Sequence, residues 1–253
     1  MHLIKMEQEN FYLGQDFLSN IDLFYTGEDV IDNQVIISGE EVHHIKDVLR
    51  YSINDQIYVT DGKGSFYKCK LTSISKTELQ CSIDEVRHYD NHFENFTFCI
   101  PRLRTQDRLE FALEKCVELG ITNFIIFDSI RTVIKGAKLD RWQKVIASAM
   151  KQSLRAWLPK ISYVKSVSEI ALLPGRRVVF EQSATTPINK FLTQPDFSSR
   201  VENIYFLFGP EGGFADEEIA MTKKCSFVKL TDNRLRAETA VVTAASILAL
   251  ELI

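Results

Sequence analysis

The sequence has no long apolar run, no closely spaced cysteine pair and few glycines or prolines. Its longest apolar stretch, Ala240 to Ile253, is broken by Thr243, Ser246 and Glu251 and falls short of the roughly 20 residues that a membrane-spanning helix needs. Lys5, Glu7, Glu9 and Asp16 interrupt the region where a secretory leader needs its apolar core, which predicts a protein that stays in the cytoplasm. Cysteines at 69, 81, 99, 116 and 225 are odd in number and form no Cys-x-x-Cys, so buried reduced thiols and no metal site are expected. Asn95-Phe96-Thr97 fits a glycosylation sequon but has no chemistry without secretion. With 11 Gly and 6 Pro in 253 residues, 45% of them hydrophobic and 25% charged, collagen and disorder are excluded and a folded core is expected. Histidine is missing from the second half: all five, at 2, 43, 44, 88 and 92, precede residue 93. No Gly-x-Ser-x-Gly elbow occurs either, so a Ser-His-Asp hydrolase is a poor fit.

Charge is divided unevenly. Residues 1–93 hold 8 Lys+Arg against 16 Asp+Glu, a net of −8, whereas 94–253 hold 22 against 18, a net of +4. Within the second part, Arg131, Lys135, Lys138, Arg141, Lys144, Lys151, Arg155, Lys160 and Lys165 face only Asp140 between Arg131 and Lys165. Such a run attracts a phosphate backbone, or is simply a solvated helix face.

From Leu23 to about Arg87 short β-type runs alternate with turns: Gln34 to Ile37, Gln56 to Thr60, Ser65 to Leu71 and Leu79 to Ile83. They predict a small barrel, with Asp61-Gly62-Lys63-Gly64 as a hairpin turn. Glu41 to Tyr51 reads as one helix, its Val42, Ile45, Val48 and Leu49 at helical spacing. His43 and His44 are neighbours on it and point in different directions, which argues against a metal pair. After Phe96 to Ile100 the pattern becomes alternating strand and helix, an α/β arrangement with a largely parallel sheet. Helices are expected at Asp107 to Leu119, Leu139 to Leu154, Asp216 to Lys224 and Ala237 to Leu250. Strands are expected at Asn123 to Phe127, Arg177 to Phe180, Ile204 to Phe208 and Phe227 to Leu230. Gly120 reads as a helix C-terminal cap, and Ala184 to Arg200 as a surface loop.

Ligands of an open α/β sheet bind beyond the C-terminal strand ends. Two loops there are unusual. Phe208-Gly209-Pro210-Glu211-Gly212-Gly213-Phe214 follows one strand and precedes a helix opening Ala215-Asp216; its glycines let the backbone approach a ligand, though a sharp turn without one is the alternative. It matches neither the P-loop nor the dinucleotide pattern, so neither an ATPase nor a nicotinamide enzyme is indicated. Thr231-Asp232-Asn233-Arg234-Leu235-Arg236 leads into a helix beginning Ala237-Glu238-Thr239. Its two arginines suit an anionic or polar substrate, or cap neighbouring carbonyls.

At these two loops the sequence resembles the bacterial small-subunit (16S) ribosomal RNA uracil-N3 methyltransferases, members of the SPOUT superfamily of trefoil-knotted enzymes. Phe208–Phe214 matches the glycine loop of that family and Arg234-Leu-Arg-Ala-Glu-Thr-Ala240 its arginine loop. Lys115-Cys-Val-Glu-Leu-Gly-Ile121, Arg141-Trp142, Lys151-Gln-Ser-Leu-Arg155 and Pro159 resemble its first helix end and basic helix. Leu23-Phe-Tyr25, His43-His44, Val48-Leu-Arg50 and Asp61-Gly62 resemble its PUA-like RNA-binding barrel. Thr231-Asp232-Asn233 departs from it, since the family often has glycine where the arginine loop opens.

The resemblance implies an extension of unassigned role at 1–21, a barrel at 22–92 and a knotted methyltransferase domain at 93–253. It also implies a homodimer that takes S-adenosylmethionine and 16S ribosomal RNA, with no metal. The cofactor would lie against Phe208, Gly209, Pro210, Glu211, Gly212, Gly213, Leu230, Asn233, Arg234, Leu235 and Thr239. Arg236 or Arg155 would stabilise the deprotonated uracil, while Glu211, Glu238 or a water would take its proton. Lys46, Arg50, Arg131, Lys144, Lys151, Gln152 and Arg155 would contact RNA. The alternatives are an RNA-binding protein without catalysis, or the same fold acting on a ribose hydroxyl or on transfer RNA.

Overall fold

The computed structural model describes residues 21–194, 202–221 and 225–252, so all of the expected extension except Ile21 lies outside the described residues. β1 (Leu23–Tyr25), β2 (Gln34–Ser38), β3 (Gln56–Thr60), β4 (Ser65–Ile74) and β5 (Glu78–His88) form one sheet in the order β1-β3-β4-β5-β2. Alternate residues, including Val35, Ile37, Ile57, Val59, Leu71 and Leu79, close over a common core, as the period of two in a pleated strand requires. Register shifts at Lys68/Cys69 and Leu71/Ser73 bend the long β4–β5 hairpin. The result is an open half-barrel. Its edge strands are joined by a side chain, because buried Thr26 donates from Oγ1 to the Ile36 carbonyl at 2.5 Å.

The helix expected at Glu41 to Tyr51 is instead α1 (Glu40–His43) followed by a π turn over His44–Val48. The wider turn shifts the angular phase, so Val42 and Ile45 are buried while Val48 is 56% exposed. His43 bonds Asp47 through Nδ1 at 2.7 Å and His44 meets the Phe24 ring edge-on. Among the described residues no group of three or more metal-ligating side chains occurs.

The second sheet contains β6 (Phe96–Pro101), β7 (Asn123–Phe127), β8 (Lys160–Val164), β9 (Arg176–Phe180), β10 (Ile204–Phe208) and β11 (Ser226–Val228). Its order is β11-β9-β10-β6-β7-β8 and every pair is parallel. Phe96, Phe98, Phe180, Phe206 and Phe208 stack on one face under α2 (Gln106–Glu118), α3 (Leu139–Gln152) and α7 (Ala237–Leu252). Cys99, Ile125, Phe127, Val179 and Leu207 fill the other face against α4 (Val167–Ala171) and Phe214, which precedes α6 (Asp216–Met221). Both faces are covered, as an all-parallel sheet requires. Among the described residues no helix is long and apolar enough to cross a membrane. Burial raises the thiol pKa of Cys69, Cys99 and Cys116 and pushes that of Cys81 up to about 12. Cys225 is only half-buried.

Two expectations need correction. Ala184 to Arg200 is not simply a surface loop: α5 (Ile188–Leu192) lies within it and buries Ile188, Phe191 and Leu192, while 195–200 lie outside the described residues. The basic helix ends at Gln152, two residues before the expected Leu154. Leu154 takes φ +55°, and the Leu154 and Arg155 amides bond back to Lys151 and Met150. That is a Schellman ending, built on a residue type that the left-handed region disfavours. α2 ends the same way with Gly120 at φ +95°, as expected. The expected Asp216 to Lys224 helix is described as far as Met221.

The two sheets meet along backbone. Gly64 N–H bonds the Ala156 carbonyl at 3.0 Å, Leu158 N–H the Gly62 carbonyl at 2.9 Å, and Thr60 Oγ1 the Ala156 carbonyl at 3.1 Å. Gly64 has φ +102°, and a Cβ there would stand 2.5 Å from the Trp157 ring and 3.0 Å from the Tyr89 carbonyl. Replacement by alanine therefore adds overpacking to backbone strain. Gly64→Ala is expected to destabilise the chain by about 2–4 kcal/mol in denaturant unfolding; a change within about 0.5 kcal/mol would show that the junction yields freely.

Candidate functional site

All six strand directions agree, so the C-terminal ends of β9, β10 and β11 open on one side. There a cavity of about 410 Å³ lies between the glycine loop, the arginine loop and the start of the 181–188 connection. Phe208, Gly209, Pro210, Glu211 and Gly213 form one wall, and Leu230, Arg234, Leu235 and Arg236 another. Phe180, Glu181, Gln182, Thr231, Ala237 and Ala240 complete the lining; Thr231, Ala237 and Ala240 continue the arginine-loop segment, whereas Phe180, Glu181 and Gln182 are brought to it from far away in sequence. Lys229 N–H bonds the Thr186 carbonyl at 2.8 Å and Ile188 N–H the Lys229 carbonyl at 2.9 Å. Gln182 Nε2 reaches the carbonyls of Thr231 and Asp232 at 3.2 and 3.0 Å. The chain leaving β11 is thus laid along 181–188 before α7 packs against α2.

The Thr231-Asp232-Asn233 departure has a local explanation. None of the three takes a positive φ, so glycine is not required. Thr231 Oγ1 accepts the Asn233 N–H at 3.3 Å, and Lys229 Nζ bonds Asp232 at 2.6 Å, holding the Asp232 carboxyl below the usual carboxylate range.

Not every expected cofactor residue reaches the cavity. Gly212, Asn233 and Thr239 lie outside its lining and are exposed. Gly212 meets Arg131 instead: Arg131 Nη1 donates to its carbonyl at 2.9 Å. Gly213, at φ +68°, is the glycine of this pair that faces the cavity.

Two side chains absent from the sequence reading organise the loops. Glu218, 3% exposed, accepts from Ser129 Oγ and the Ala215 amide at 2.9 Å and from the Ile130 amide at 3.1 Å. It ties the β7–α3 loop to the residues that follow the glycine loop. Arg108 on α2 stands 3.8 Å from Glu211 and 3.6 Å from Glu238. Glu211 also accepts the Arg104 N–H at 3.0 Å and remains on the cavity rim. Glu238 is buried towards Arg108, its Oε2 has no partner among the described residues, and it does not line the cavity. Glu218 bonds back to the Ala215 amide as an acid in the first turn of a helix does, which is a local signal. Its bonds to Ser129 and Ile130, and the pairing of Arg108 with Glu211 and Glu238, instead join residues far apart in sequence.

The remaining expected residues are dispersed. Arg236 lines the cavity; Arg155 does not, and lies at the opposite end of the sheet, donating twice to the Glu118 carbonyl. Lys144 pairs with Glu40 at 3.1 Å and Lys151 with Glu41, both acids being on α1. Gln152 and Lys144 border a groove that also carries Glu110, Glu114 and Glu118. Lys46 and Arg50 lie near the π turn, and Arg131 beside the glycine loop.

An all-parallel sheet in this strand order, with a cavity built by the loops at its C-terminal end, is the arrangement of the SPOUT class of methyltransferase. The RNA methyltransferase domain model matches residues 94–249, and an RNA methyltransferase PUA domain model matches 37–84. Ribosomal RNA small subunit methyltransferase E of Bacillus subtilis is 31% identical over 225 residues, covering 83% of this chain and 87% of the relative. The crystal structure of the enzyme of that name from Neisseria gonorrhoeae, bound to S-adenosyl methionine, is 27% identical with a TM-score of 0.76, covering 90% of this chain and 97% of that one. A probable rRNA-methyltransferase from Porphyromonas gingivalis is 25% identical with a TM-score of 0.75, covering 92% and 98%. The chain belongs to the RNA methyltransferase family.

Glu218→Ala would leave a buried hydroxyl and two amides without their acceptor. A loss of about 3 kcal/mol is expected in denaturant unfolding; a loss below about 1 kcal/mol would mean that water replaces the carboxylate and that the loops do not depend on it.

Proposed function

We propose that the protein transfers the methyl group of S-adenosylmethionine to N3 of a uridine in 16S ribosomal RNA during ribosome maturation. The observation that carries this reading is the cavity shared by the glycine and arginine loops at the C-terminal strand ends. Its composition suits the cofactor: Phe180, Phe208, Leu230 and Leu235 offer apolar surface to a purine, and Gly209 and Gly213 expose backbone polar groups to it. The Neisseria gonorrhoeae relative bound to S-adenosyl methionine supports the same assignment. In this reading 22–92 is the RNA-binding PUA-like barrel and 93–253 the methyltransferase domain.

S-adenosylmethionine supplies an activated methyl on a sulfonium, so the work left to the chain is positioning and charge management. Arg236 lines the cavity and is the group proposed to stabilise negative charge on the uracil ring. Glu211, at the rim and held by the Arg104 amide, is the proposed acceptor of the N3 proton. Glu238, turned towards Arg108, is proposed to position that arginine and, through it, Glu211. Arg131 beside the glycine loop, with Lys46, Arg50, Lys144, Lys151 and Gln152 further out, is proposed to meet RNA. A cytoplasmic homodimer is proposed as the working form; exposed Ile130, Val133, Ile134 and Met221 support it as apolar surface on the β7–α3 loop and α6.

The test is nucleoside analysis by mass spectrometry of 16S ribosomal RNA from a strain lacking this protein, treated with the purified chain and S-adenosylmethionine. 3-Methyluridine is expected; a ribose-methylated product, or none, would overturn the assignment. Gly213→Val places a β-branched side chain at φ +68° on the cavity wall and is expected to abolish cofactor binding, so an unchanged titration would remove Gly213 from the site. Arg236→Ala is expected to leave cofactor binding within about twofold and to lower kcat about 10²-fold. Unchanged turnover would remove Arg236 from the mechanism.

A further inference from the structure

A second cavity, of about 370 Å³, lies at the N-terminal end of the same sheet, where the two sheets join. Its lining includes Phe93, Gly120, Thr122, Leu154, Arg155 and Trp157, which lie in the segments leading into strands β6 to β8. Strands of five or six residues separate it from the methyl-transfer cavity by roughly 15–20 Å.

Arg155 is held there in a distinctive way. Its Nε and Nη2 both donate to the Glu118 carbonyl, which occupies one edge of the guanidinium and leaves the Nη1 and Nη2 end of the fork unspent. Burial lowers its pKa, and no carboxylate pairs with it among the described residues. The backbone pays for this placement with Leu154 in the left-handed region at φ +55°, whereas the equivalent ending of α2 uses Gly120. A strained residue beside a desolvated, incompletely bonded arginine is the arrangement expected where a ligand completes the site. The other lining groups indicate which ligand. Trp157 is fixed by its Nε1 bond to the Tyr89 carbonyl at 2.8 Å and by contact with Gly64. Phe93, buried against Phe96, and the exposed Tyr89 and His92 also belong to the cavity lining, with Asp90 between Tyr89 and His92 in sequence. Aromatic walls around one planar donor fork suit an unpaired nucleobase with two adjacent acceptors.

We propose that this junction cavity is a second RNA-reading site, which takes one unpaired guanine of the substrate RNA, bonded through O6 and N7 to the free end of Arg155 and packed against Trp157. The proposal rests on the reading that the substrate is RNA. It makes Arg155 a specificity-determining residue remote from the methyl transfer.

The full chain is titrated with a short single-stranded oligouridine and with the same strand carrying one central guanosine, following tryptophan emission. Trp142 is fully buried, so a change reports Trp157. The guanosine strand is expected to bind about tenfold tighter and to change the emission saturably, and Arg155→Lys to abolish that preference. For Trp157, binding is followed by fluorescence anisotropy of labelled strands: Trp157→Leu is expected to weaken the guanosine strand about tenfold and Trp157→Phe to preserve it. S-adenosylmethionine titration of each variant checks folding, and His92→Ala, at the exposed rim, supplies a milder variant with a smaller expected loss. Equal affinity for the two strands, or a guanosine preference that survives Arg155→Lys, overturns the proposal. If 3-methyluridine still forms in ribosomal RNA, the methyltransferase reading stands without it; if neither strand binds and no methylated nucleoside forms, both fall.

Discussion

Uniform strand direction is the constraint on which the rest of this molecule depends. Because every neighbour in the second sheet is parallel and both faces are sealed by helices, ligands have access only at the two ends of the strands. The ends are built differently. At the C-terminal end, loops lengthen and glycine exposes backbone, which creates a cavity with apolar walls and a charged rim. At the N-terminal end the loops are short and tight, and backbone hydrogen bonds join them to the 61–64 turn of the half-barrel.

The two ends are stabilised by different physics. Around the glycine loop the fixed point is a buried carboxylate: Glu218 satisfies donors from two separate segments, and its burial is tolerable because each oxygen has a partner. Arg131 adds a bond to the Gly212 carbonyl from the same β7–α3 loop. The glycine loop therefore takes its shape from residues some 80 positions away, although its own sequence supplies the conformational freedom. At the junction, by contrast, main chain meets main chain, and side-chain bulk is excluded at Gly62 and Gly64.

That difference explains what was legible in the sequence. Local requirements were readable: glycines at 62, 64, 120 and 213 stand where φ is positive, and the apolar runs of β6, β7, β9 and β10 are the interior strands of a parallel sheet. β8 escaped because, at the sheet edge, Lys160–Val164 is only partly buried and shows no apolar run. α5 escaped because five residues are too few to show a helical period. The π turn was invisible for a related reason, since spacing alone cannot tell a five-residue turn from an α-helical one. Of the site, the two loops were legible, whereas Glu181 and Gln182 on the cavity wall and Arg108 behind Glu211 and Glu238 were not, because tertiary packing brings them there. Arg155 carried a charge signal but no information about which end of the sheet it would occupy.

The division of charge, −8 in the first part and +4 in the second, looks unfavourable for an RNA-binding barrel until the pairs are located. Glu40 and Glu41 face Lys144 and Lys151 on α3, so part of the acidity is spent within the molecule. The two pairs are unequal. Lys144 and Glu40 are 73% and 91% exposed, and such a contact is screened and contributes at most about 1 kcal/mol. A phosphate group, itself multiply accepting, would compete for Lys144 at little cost. Lys151 and Glu41 are 30% and 14% exposed, where separation leaves charge in a poorly solvated place and is correspondingly resisted. The inner pair thus fixes the position of α1 against the basic helix, while the outer lysine remains exchangeable. The same helix thus presents a fixed contact to the half-barrel on one side and a solvent-exposed, weakly held lysine on the other.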